Sequence, residues 1–91
     1  MRRRRTELGV LRARCDAAAR MVDAHAVALD RASAGLLAAP DSREARERVE
    51  TAEELHYLAL WELRQARRAL ARREAFDSIV ARLTLHLLPR R

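Results

Sequence analysis

The sequence predicts an all-α fold: a long antiparallel two-helix hairpin, coiled-coil-like with an Ala/Leu seam, followed by a short amphipathic C-terminal helix. Three observations carry that prediction. Steps of three and four from Leu8 land on Leu11, Cys15, Ala18, Val22, His25, Leu29, Ala32 and Leu36, every stop but His25 apolar. That is a heptad seam. A second seam follows Pro40, on Ala45, Val49, Ala52, His56, Ala59, Leu63, Ala66 and Leu70. Two glycines, two prolines and three aromatic residues in 91 leave β-structure little support, whereas alanine and leucine favour helix.

The two seams also fit each other. Facing residues of an antiparallel hairpin keep a constant sum of residue numbers, because both helices rise at the same rate. A turn centred on Pro40–Asp41 makes that sum 81. The layers become Leu36/Ala45, Ala32/Val49, Leu29/Ala52, His25/His56, Val22/Ala59, Ala18/Leu63, Cys15/Ala66 and Leu11/Leu70. Most pair a large residue with a small one, which lets the helices approach to nearer ~8 Å than 10 Å.

The elements follow in order within one small domain. Residues 1–6 read as a basic tail. Residues 7–38 form helix 1, with Gly9 weakening its first turn. Residues 39–42 make the turn, since Pro40 disfavours helix at Ala39, and Asp41 or Ser42 caps what comes next. Residues 43–74 form helix 2, with glutamates early and arginines late, matching the helix dipole. Residues 76–88 form the C-terminal helix, and Pro89 ends it.

That last segment changes face. Phe76, Val80, Leu83 and Leu87 make a stripe on the side of the helix away from the seam, where Leu58 and Trp61 also lie. Either the chain breaks near Glu74–Ser78 and folds back over Trp61, or helix 2 continues and offers the stripe to another subunit. Burying Trp61 is worth on the order of 2 kcal/mol, so an uncovered indole is the least expected outcome.

Charge separates along the rod. The formal net charge is +6. Residues 1–20 and 64–91 together hold fifteen arginines against four carboxylates, a net +11; residues 21–63 hold four against nine, a net −5. The open end of the hairpin is basic and the turn end acidic. Arg64, Arg67, Arg68, Arg72 and Arg73 are the candidate contacts for nucleic acid or another polyanion. No helix-turn-helix or zinc-finger spacing accompanies them. All nineteen basic residues are arginine, with no lysine and no asparagine. That bias points to a GC-rich genome and weakens the case that arginine was selected for binding.

Cys15 has no disulfide partner, which fits a reducing compartment. Without a visible signal or membrane span, the expected location is the cytoplasm, or the nucleus for a chain from a DNA virus. No phosphate loop or nucleophile elbow is present, and a helical hairpin has little concave surface for a small-molecule substrate. No enzymatic activity or catalytic residue is expected.

The remaining chemistry sits in the polar layer His25/His56. Glu53 precedes His56 by three residues, and Asp23 lies near the same level of helix 1. Residues i and i+3 share a helix face, and imidazole with carboxylate suits iron or zinc. The set Asp23, His25, Glu53 and His56 is thus the candidate metal site. The plainer reading is a polar layer that fixes the register of the seam.

Over Asp23–Leu63 the layout resembles the encapsulated ferritins, short helical hairpins with a brief third helix. The resemblance implies iron held between subunits by Asp23, Glu53 and His56. Here Asp23 stands where that family has Glu, the aromatic pair after the first carboxylate is absent, and no encapsulin-targeting tail follows.

The sequence therefore favours a small basic protein that acts by protein–protein association without a cofactor, as a homo-oligomer or as a subunit of a larger complex. The interface would be Leu58, Trp61, Phe76, Val80, Leu83 and Leu87. An oligomeric iron-binding protein is the second reading, and a nucleic-acid accessory protein the third.

Overall fold

A computed structural model describes residues 2–87, with side chains placed from Glu7 onward. Two helices account for nearly all of it: α1, Arg2–Ala38, and α2, Arg43–Leu87. They pack antiparallel into a rod of 78 × 18 × 14 Å. The stretch expected as a basic tail is instead the start of α1, which begins at Arg2. Leu88 and Pro89 lie outside the described residues.

The turn is built from local chemistry. The Ala39 N–H donates to the carbonyls of Gly35 and Leu36 and closes α1. The Ser42 N–H then donates to the Ala39 carbonyl at 3.0 Å. Pro40 holds the second position of that turn, where its fixed φ is favoured. Among the described residues no φ is positive, so the reversal needs no glycine. Ser42 is the cap: its Oγ accepts from the Ala45 N–H at 3.1 Å, satisfying one of the free donors of the first turn of α2.

Both seams face inward as expected. All nine stops on α1 and all eight on α2 are buried or half-buried. The buried core is Ala18, Ala45, Ala52, Ala59, Leu63 and Ala66, every one a seam residue. Ala66 is fully closed to solvent. Ala18, Leu63 and Ala66 form one cluster, with Cys15, Ala19 and Val22 packed against it. Those contacts are the ones expected of layers summing to 81. Five of the six core residues are alanine, so the backbones lie close and the dry area is narrow.

The C-terminal segment corrects one expectation. No separate helix over 76–88 exists among the described residues; Phe76–Leu87 is the direct continuation of α2. The physical reason lies at residues 74–78. No Gly or Pro interrupts the ladder there. Asp77 lies one turn after Arg73 on the same face, with Asp77 Oδ1 3.5 Å from Arg73 Nε. Such i,i+4 pairs hold a helix together across the suspected break. By the register of the seam, α2 beyond Ile79 has none of the described residues of α1 opposite it.

Candidate functional site

The outer face of α2 carries large apolar side chains that nothing among the described residues covers. Leu58, Trp61, Phe76, Ile79 and Leu83 each expose half or more of their surface, and Leu87 exposes 82%. Trp61 is 52% exposed and Phe76 51%. Steps of three and four place them along one side of the helix, about 100° of rotation per residue. They stay bare because α2 runs straight on and, among the described residues, no segment folds back. Val80 differs from the rest of the predicted stripe. It is half-buried, because steps of three and four from Leu70 through Arg73 and Asp77 land on it, making Val80 a seam position.

The seam itself continues past Leu70 in a way the apolar pattern concealed. The next stops are Arg73 and Asp77, with side chains 27% and 22% exposed. Arg73 reaches across to Glu7 of α1 at 2.7 Å. Its guanidinium also lies 5.5 Å from the centre of the Phe76 ring, within cation–π range. A second bridge, Arg14 Nη2 to Glu62 Oε1 at 2.8 Å, ties the helices along one flank. Neither cross-helix pair was identified from the sequence, although the register could have been used to find both. Sums of 80 and 76 place Glu7/Arg73 and Arg14/Glu62 within side-chain reach.

The arginine cluster is therefore not uniform. Arg64, Arg67, Arg68 and Arg72 are exposed. Arg73 is committed to Glu7, Asp77 and Phe76.

The polar layer takes its expected place on the seam. His25 and His56 are half-buried, whereas Asp23 and Glu53 are exposed. Among the described residues, no three His, Cys, Asp or Glu side chains come together as a metal-ligand set. His25 lines a shallow open groove toward the turn end, with Ala28, Arg48, Thr51 and Leu55; His56 does not. Among the described residues, no helix is long and apolar enough to cross a membrane.

Comparison of the chain with protein-family models, curated proteins and solved structures finds no match.

Proposed function

We propose that this protein acts by protein–protein association, as a non-enzymatic helical subunit whose working surface is the outer face of α2. The observation that carries the reading is Trp61, half exposed on the same side of α2 as Leu58, Phe76, Leu83 and Leu87. Scattered exposed leucines are ordinary, but a row of large apolar side chains that includes an indole marks an interaction surface. The continuity of α2 supports this reading, because it removes the folded-back helix that would have covered the row within one chain. Val80 contributes at the edge of the surface, where the seam and the stripe meet.

Native mass spectrometry of the wild type beside Trp61→Asp and Leu83→Asp tests the proposal. Both substitutions place a carboxylate on the stripe and touch no residue of the hairpin core. The expected result is a defined assembly in the wild type and loss of it in Trp61→Asp, with helix content by circular dichroism unchanged. Assembly that survives both substitutions would refute the surface.

A further inference from the structure

We infer that the face of α2 centred on Trp61 receives the same face of a second copy of this chain, running antiparallel. The inference rests on the association reading and names its partner and register. Its basis is the order of charge along the face. Counting from Trp61, Glu54 and Glu50 lie seven and eleven residues toward the N-terminus, and Arg68 and Arg72 lie seven and eleven residues toward the C-terminus. Seven residues make about two turns and eleven about three, so all five side chains stand in one line. A two-fold axis through Trp61 then sets Glu54 opposite Arg68 of the second copy and Glu50 opposite Arg72 of the second copy. The same pairs repeat on the other side of the axis. Isologous contacts of this kind are what a symmetric dimer requires.

The intrachain pairing of the other acids sharpens the point. Glu7, Glu44, Glu47, Glu62 and Asp77 each have an arginine within the chain. Glu50, Glu54, Arg68 and Arg72 are exposed, and among the described residues none of them takes part in an ion pair. These four charges, placed symmetrically about the exposed tryptophan, are thus free to pair across an interface.

Charge also selects the antiparallel arrangement over its rivals. A parallel pair sets Glu against Glu and Arg against Arg, which is repulsive. End-on pairing through residues 76–87 brings together two arginine-rich ends. The antiparallel pair lays the basic open end of each rod along the acidic turn end of the other. Residues 43–79 of the two α2 helices then overlap over roughly 55 Å. Leu58, one turn from Trp61, completes an apolar centre flanked by ion pairs.

Site-specific cross-linking combined with charge reversal tests the register. In a Cys15→Ala background, Glu54→Cys and Arg68→Cys chains are oxidised separately and as a mixture. The expected result is a disulfide dimer in the mixture and little in either chain alone. Cross-linking of each chain to itself, with little in the mixture, would show a parallel pair and overturn the inference. Without cross-links, Glu50→Arg/Glu54→Arg and Arg68→Glu/Arg72→Glu should each weaken self-association by roughly tenfold or more per reversed pair, and mixing the two should restore it. A wild type that stays monomeric at high micromolar concentration would overturn the second copy as partner. Assembly indifferent to charge reversal but abolished by Trp61→Asp would overturn the register and leave the association surface standing. Assembly indifferent to Trp61→Asp as well would remove both.

Discussion

Arg73 of α2 and Glu7 of α1 meet at 2.7 Å across the open end of the hairpin. Arg73 occupies a seam position, so this pair closes the apolar seam with charge where the next stop would otherwise be hydrophobic. Arg73 Nε and Asp77 Oδ1 are shielded from water, and neither has a hydrogen-bond partner among the described residues. An arrangement like this specifies position more than it stabilises. Arg73→Ala should cost about 1 kcal/mol, because it leaves Asp77 without its nearest cation. The double replacement Arg73→Leu/Asp77→Leu should instead be neutral or stabilising by ~1 kcal/mol, since an apolar pair has no ion desolvation to offset. Urea midpoints of the two variants check both signs.

The alanine core makes its own demand. Ala66 has no exposed surface and Leu63 only 7%. Leu63→Ala should destabilise by about 2–3 kcal/mol, through lost burial and a residual cavity. Ala66→Leu should also destabilise, by about 1–3 kcal/mol, because the helices must separate to admit it. Thermal melts in which Ala66→Leu is neutral would mean that the backbones lie farther apart than the buried alanines require.

Continuity of α2 can be broken on purpose. Ala75→Pro removes one ladder hydrogen bond and clashes with the preceding turn, at about 3 kcal/mol in a helix interior. The turns after Phe76 should fray and the mean residue ellipticity should fall. The seam from Leu8 to Leu70 should keep its cooperative melt. A variant with undiminished helicity and an unchanged melt would contradict a continuous α2.

Metal binding has a distinct signature here. No three ligand side chains gather within the described residues of one chain, so Asp23, His25, Glu53 and His56 of a single hairpin form no preassembled three-ligand set. Calorimetric titration of the monomeric Trp61→Asp variant with zinc should therefore give no stoichiometric tight binding. Tight binding to that monomer, abolished by His56→Ala, would place a complete site within one hairpin.

Much of the fold was legible because a heptad seam is a long-range signal repeated many times. Each stop from Leu8 to Leu36 and from Ala45 to Leu70 agrees with its neighbours, so the pattern survives two histidines. The Pro40 turn was legible for a similar reason: proline, aspartate and the Ser42 cap all act locally. The end of α2 was harder to read. Arg73 and Asp77 hold seam positions with polar atoms, and a search for apolar residues jumped from Leu70 to the stripe at Phe76 and saw a change of face. Asp77 and Ser78 resemble caps in sequence, but capping needs a chain that has already left the helix, and nothing from Glu74 to Ser78 forces it to leave. The stripe itself was visible as spacing. Its exposure was not, because exposure depends on whether the chain returns over it.

Trp61 is the sole tryptophan, and its fluorescence tests the central claim most directly. Association through the outer face of α2 predicts the blue-shifted emission of a shielded indole at micromolar concentration, moving to longer wavelength on dilution as Trp61 returns to water. Emission of a solvated indole at every concentration, up to hundreds of micromolar, would contradict self-association through this face.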